Sequence, residues 1–181
     1  YLAQFLSDPR VVEIPSWAWK PILHGIILRT RPKKSAHAYR QVWTEDGSPL
    51  AAITGRQAAS LQARLGDGVL VDWAMRYGAP SIPDVLKAMR ARGCIRILIL
   101  PLYPQYSAST SATVVDEVGR CLANWRNQPE IRFVRNFHDH PGYIAALVKS
   151  VRDHWRVNGE PERLLLSFHG VPRRSLELGA P

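Results

Sequence analysis

The chain has 181 residues, 46% of them hydrophobic, and 24 Lys and Arg against 15 Asp and Glu give a formal charge of +9. Six Trp, six Tyr and four Phe among many branched aliphatics exclude a disordered chain. The best apolar run, 95–103, is broken by Arg96 and Pro101, which excludes a membrane span of about 20 residues. The basic excess favours an anionic partner. Part of it is local: Arg29, Arg31, Lys33, Lys34 and Arg40 have no acid between them, as on a solvated basic face. Cys94 and Cys121 fit neither a CxxC pair nor a zinc pattern, so two reduced thiols in a cytoplasmic protein are expected. Tyr1 is not a natural start, and Leu2, Phe5 and Leu6 read as the end of a helix, so residues are expected in front.

The first 68 residues are helical and loop-rich, with helices predicted at 35–43 and 55–65 and a loop at 9–21 that carries Trp17 and Trp19. From residue 69 the pattern alternates. Apolar runs at 69–75, 95–102, 131–134 and 164–168 predict four strands. Between the first two, Ser81 is a capping residue, Pro83 lies in the first turn, Asp84 is the third residue after Ser81, and Gly93 ends the helix. The next helix places Val114, Val115, Val118, Cys121, Leu122 and Trp125 on one face. Pro141 opens another, with Ile144, Leu147, Val148, Val151 and Trp155 inward. Single helices between apolar strands predict an α/β fold with a doubly wound, parallel, four-stranded sheet and flanking helices. A first domain at 1–158 and the start of a second at 159–181 are expected, with 158–162 as the linker.

In open α/β sheets, ligands bind beyond the carboxyl ends of the strands. Three such ends carry polar groups: Arg76 and Tyr77, then Tyr103 to Ser111, then His169. His169 is either a satisfied structural histidine or a group that takes a proton or a divalent metal near neutral pH. Ser107, Ser109, Thr110 and Ser111 either cap a helix or cradle an anion at its start. Arg76 either joins a surface ion pair or grips a carboxylate with its planar fork. Trp17 and Trp19 are either core or an aromatic loop that touches lipid or a flat apolar ligand. His138 and His140 read as a loop pair rather than a closed metal site, since Asp139 is their one acidic neighbour.

Four stretches in this order, YLAQFLSDPRVVEIP (1–15), AMRYGAPSI (74–82), LPLYPQYSASTSATV (100–114) and LLSFHGVP (165–172), resemble the ferrochelatases of bacteria, enzymes that insert ferrous iron into a porphyrin to make haem. The third and fourth are specific together. The resemblance implies two similar α/β units with a porphyrin cleft between them, of which this chain supplies most of the first. It implies that His169 is the active-site histidine, binding metal or removing pyrrole protons, with a second, acidic group beyond Pro181. It implies that Arg76 and Tyr77 line the porphyrin pocket, that Tyr106, Ser107 and Ser109 form its wall and ligand entry, and that Trp17 and Trp19 sit on an apolar lip. Porphyrin and ferrous iron are then substrates and no cofactor is required. Some members hold an iron–sulfur cluster through a cysteine where this chain has Ala108, so no cluster is expected. The strand that opens the family's fold would precede Tyr1.

Two other functions compete: a chelatase for another metal such as cobalt, and a non-catalytic module that binds an anion or a tetrapyrrole. A nucleic-acid partner is not expected, because neither an RNA-binding aromatic motif nor a recognition-helix pattern is present. Peripheral membrane contact is an expectation of the aromatic lip beside basic residues.

Overall fold

The computed structural model describes residues 1–179. The last two residues of the expected 159–181 segment, Ala180 and Pro181, lie outside the described residues. The chain divides into two compact units, Tyr1–Arg96 with Thr113–Glu130, and Ile97–Ala112 with Ile131–Pro181.

The first unit begins with α1 (Leu2–Ser7) and a turn at 8–15. The expected loop at 9–21 is only half loop. Helix α2 (Ser16–Ile22) continues through a π-helical turn, Leu23–Ile27, into α3 (Leu28–Arg40). Pro21 and Pro32 lie inside this run. Each lacks an N–H and crowds the carbonyl four residues back, which weakens the helix ladder there. The wide turn after Pro21 re-registers the ladder instead of ending it. Fully buried Leu23 anchors the turn, which lies against α1. The Trp19 indole N–H donates to the Leu6 carbonyl at 2.7 Å, tying α2 to the same helix.

Helix α4 (Pro49–Leu65) starts six residues earlier than expected and ends at Gly66, whose φ of 71° suits glycine. Gly55 on its face leaves room for the Trp73 ring, which lies 3.5 Å from where a Cβ would stand. The strand expected at 69–75 is not formed. Its backbone groups are taken by one side chain: the Gln62 amide donates to the carbonyls of Gly66 (2.8 Å) and Val69 (2.9 Å) and accepts from the Val71 N–H (2.8 Å). The groups so engaged, the Val69 carbonyl and the Val71 N–H, are not free for a ladder. Only an isolated parallel bridge, Met75 to Ser81, remains.

Helix α5 (Ile82–Ala91) follows the predicted punctuation. The Ser81 hydroxyl accepts from the Asp84 N–H at 3.3 Å, Pro83 lies in the first turn, and Gly93 has φ 80°. Ile82 and Leu86, one turn apart, are buried. Ser81→Ala is expected to cost about 1 kcal/mol, read as a lowered denaturation midpoint; an unchanged midpoint would remove the cap from the account. Helix α6 (Ser111–Leu122) buries Val114, Val118 and Cys121 at positions i, i+4 and i+7, while Val115 stays exposed.

Two strands, β1 (Arg96–Ile99) and β2 (Glu130–Phe133), pair with a constant offset. The Glu130 N–H donates to the Ile95 carbonyl (2.8 Å) and the Val134 N–H to that of Ile99 (3.0 Å), the pattern of a parallel ladder. With α6 between them they form a β–α–β unit, so the chain is α/β with a small parallel sheet. Four strands were expected; two are formed among the described residues. The 164–168 segment is unpaired coil with Leu165 90% exposed, because an apolar run becomes a strand only where a sheet edge receives its hydrogen bonds.

The second unit also contains α7 (Pro141–Asn158) and a short α8 (Arg173–Glu177) that carried no sequence expectation. The His140 ring accepts from the Gly142 N–H at 3.1 Å and so caps α7. The face of α7 expected inward is largely open: Ile144, Leu147 and Val148 are exposed, since nothing among the described residues covers them. No helix among the described residues is long and apolar enough to cross a membrane.

Candidate functional site

In the first unit, Arg76 and Tyr77 follow the extended segment that Gln62 holds, and both reach back to α1. Arg76 Nη2 donates to Asp8 Oδ2 at 2.6 Å, and Arg76 Nε donates to the Thr113 carbonyl at 2.8 Å. Glu117 Oε2, one turn further along α6, stands 3.9 Å from Nη1. The Arg76 side chain is only 16% exposed. Its guanidinium lies 4.4 Å above the Tyr77 ring, and the Tyr77 hydroxyl donates to the same Asp8 oxygen at 2.9 Å. Phe5 (5.4 Å) and Tyr1 (6.2 Å) meet that ring edge to face. These contacts join an aromatic cluster to a buried charged pair.

Burial first, and the bond to Asp8 second, push the Tyr77 phenol up from 10.0 to about 12. The neutral form is the one the fold holds. Below the unfolded value of about 10 the contribution to stability is complete; as pH rises from there through 12 the unfolded chain sheds its proton first and stability falls. A phenolate absorbance titration is expected to contain a step near pH 12, and Tyr77→Phe to remove it. Complete titration by about pH 11 would contradict the placement. Nearby, Glu117 is held below the usual carboxylate range, chiefly by its hydrogen bond from Arg120, and burial raises the Cys121 thiol.

Trp17 and Trp19, expected together, are used differently. Trp19 is fixed to α1, while Trp17 is 82% exposed. Along the same helical run, Ile22 and Ile26 are exposed, followed by Arg29, Arg31, Lys33, Lys34 and Arg40 in solvent. An exposed aliphatic and aromatic segment therefore runs into a cationic one.

In the second unit, the loop after β1 carries Tyr106, Ser107 and Ser109. The Ser107 and Ser109 hydroxyls lie 3.1 Å apart, and the Ser107 carbonyl accepts from the N–H groups of Thr110 (3.2 Å) and Ala112 (3.3 Å), opening α6. The Ser111 hydroxyl is buried without a hydrogen-bond partner. Arg135, just past β2, stacks on the Tyr106 ring at 4.4 Å, a pairing the sequence analysis does not contain. His169 lies in exposed coil, with Nδ1 2.7 Å from the Gly170 carbonyl. A carbonyl only accepts, so Nδ1 is the donor in this contact. No group of three or more His, Cys, Asp or Glu that could hold a metal occurs among the described residues.

The structure thus brings Arg76 to Tyr77, through Asp8, and Ser107 to Ser109. Asp8, Thr113, Glu117 and Arg135 are additions. Asp8 is separated by 68 residues from Arg76, so no local spacing reveals it; the one hint is an acid at the end of an apolar helix.

The family model described as ferrochelatase matches residues 1–181. Relatives named ferrochelatase include that of Aromatoleum aromaticum, 63% identical over 185 residues, covering all of this chain and 51% of the relative. That of Azoarcus sp. is 63% identical over 183 residues, covering all of this chain and 50% of the relative. That of Dechloromonas aromatica is 60% identical over 187 residues, again covering the whole chain and 51% of the relative. The chain spans about half the length of these curated relatives. Matched by the family model along its whole length, the chain belongs to the ferrochelatase family.

Proposed function

We propose that the full-length protein, this chain together with the second half that its relatives have, inserts ferrous iron into protoporphyrin or a related porphyrin in haem synthesis. The observation that carries the reading is identity to ferrochelatases over every residue of the chain. Porphyrin and ferrous iron are the substrates, and the reaction needs no cofactor. Ala108 stands where a cluster-binding cysteine would be needed, so the chain offers no ligand there. In this reading Tyr77 and the exposed Trp17 offer apolar surface to the ring, with Trp19 bracing the lip, and Arg76 faces a propionate. Tyr106, Ser107 and Ser109 form the wall where ligands enter.

Metal insertion releases two pyrrole protons as the cation binds four nitrogens. His169, with Nδ1 engaged by the Gly170 carbonyl, accepts a proton through Nε2 or passes the metal, and a carboxylate from the second half completes the pair. Weak, open ligands suit a cation that must leave for the ring, whereas a closed site would retain it.

The domain division at 1–158 and 159–181 belongs to this proposal, as does a four-stranded doubly wound sheet in which 69–75 and 164–168 find partners once the rest of the protein is present. The exposed apolar faces of 164–168 and α7 are then covered by that second half. The protein works in the cytoplasm, with Trp17, Ile22, Ile26 and the basic run behind them resting on a membrane surface.

Titrating the full-length protein with protoporphyrin, then adding Fe2+, Co2+ or Zn2+ without oxygen, tests the reading. A shifted porphyrin absorbance followed by iron insertion supports it. Insertion of cobalt with no insertion of iron would favour the other chelatase, and binding without insertion the non-catalytic module.

A further inference from the structure

Asp8 closes α1, and its backbone turns extended there (φ −74°, ψ 120°), which directs its side chain away from the helix. It is 8% exposed, and its carboxylate is densely used: Oδ1 accepts from the Arg10 N–H at 2.9 Å, and Oδ2 accepts from both Arg76 (2.6 Å) and the Tyr77 hydroxyl (2.9 Å). One oxygen thus fixes two consecutive side chains, both of them assigned above to the porphyrin. The second anchor of Arg76, the Thr113 carbonyl, holds Nε, so the plane of the guanidinium is set at two points. The Tyr77 ring is set at two as well, by its hydroxyl and by the guanidinium stacked on it.

We propose that Asp8 is a positioning residue for porphyrin binding: it holds the Arg76 fork and the Tyr77 ring in the orientation that receives the ring and its carboxylate, an inference that rests on the function proposed above. A free arginine would lose rotamer freedom each time it met a propionate, and here that loss is taken on folding. A buried ion pair by itself is weak grounds for stability, because apolar residues of similar volume hold a fold as well. Orientation is what such residues cannot supply. Without the Asp8 charge, Glu117, 3.9 Å from Nη1, is the nearest alternative, and the guanidinium would swing toward α6 and away from Tyr77.

The test uses the full-length protein with wild type, Asp8→Asn, Arg76→Met and the double variant, each measured for protoporphyrin Kd by fluorescence quenching and for kcat of metal insertion. Asp8→Asn is expected to weaken binding about tenfold with kcat within about threefold of wild type. Because Asp8 acts through Arg76, the double variant is expected to bind within about threefold of Arg76→Met alone. If Asp8→Asn does not fold, the double variant, which buries no lone charge, still supplies this comparison. A folded Asp8→Asn that binds within about threefold of wild type overturns the inference, as does a double variant that is weaker than Arg76→Met by the full Asp8→Asn factor. Wild type that binds no protoporphyrin overturns the proposed function and this inference with it; tight wild-type binding with an unaffected Asp8→Asn overturns this inference alone.

Discussion

His169→Ala in the full-length protein is expected to lower kcat for metal insertion by about 10²–10⁴, the range a positioned acid–base group contributes, while porphyrin affinity changes by less than about threefold. Three observations lead there. The imidazole is exposed in this chain and its Nδ1–H is spent on the Gly170 carbonyl, which leaves Nε2 as the acceptor. In the proposed function, ring binding rests on apolar area and propionate contacts from Tyr77, Arg76 and Trp17, none of which involves His169. Proton removal from two pyrrole nitrogens needs bases, and no other histidine follows it in this chain. A purely structural His169 would predict a different result, with melting temperature and porphyrin affinity falling together. Activity retained within about tenfold, roughly 1.4 kcal/mol of barrier, would remove His169 from the chemistry.

Asp8→Ala in the full-length protein is expected to cost about 3–5 kcal/mol of stability, the usual penalty for stranding one member of a buried pair. The Arg76 guanidinium would lose its acceptor at 2.6 Å with little water to replace it, and the Tyr77 hydroxyl would lose its own. Replacing both partners by apolar residues, Asp8→Leu with Arg76→Met, is expected to recover most of that loss, since no charge is left uncompensated. Denaturant titration reads both values. A single-variant cost under about 1 kcal/mol would place the pair with the exposed ion pairs of this chain, such as Lys149 with Asp153, which contribute little.

Much of the fold is legible because its cues are local. Helix α5 carries its cap, its proline, its acid and its terminal glycine within thirteen residues, and each does what the pattern dictates. Strand β1 is a short, mostly aliphatic run and β2 alternates charged and apolar residues, one on either side of an amphipathic helix, and they pair as a β–α–β unit does. The errors share one origin: they depend on a partner that periodicity cannot name. Segment 69–75 is as apolar as β1, but Gln62 reaches its backbone first. Segment 164–168 is more apolar still, and no strand edge among the described residues receives it. The expected loop at 9–21 is helical from Ser16, and a π-helical turn carries that helix onward. The site divides in the same way. Arg76, Tyr77, Tyr106 and the serines stand in motifs, so their residue types announce them. Asp8 and Arg135 act through contacts between segments far apart in the chain, Asp8 with Arg76 and Arg135 with Tyr106, and only the fold reveals those.

Anaerobic insertion of ferrous iron into protoporphyrin, followed by the growth of the haem spectrum, tests the account most directly when run on two proteins, the full-length form and the 181-residue chain alone. The full-length protein should form haem with repeated turnover. The chain alone should form none above the uncatalysed rate, because the proposed mechanism draws a carboxylate and part of the cleft wall from the second half. A full-length protein that binds protoporphyrin and leaves it unmetallated with every divalent ion offered, or a 181-residue chain that matches it in rate, would contradict the account.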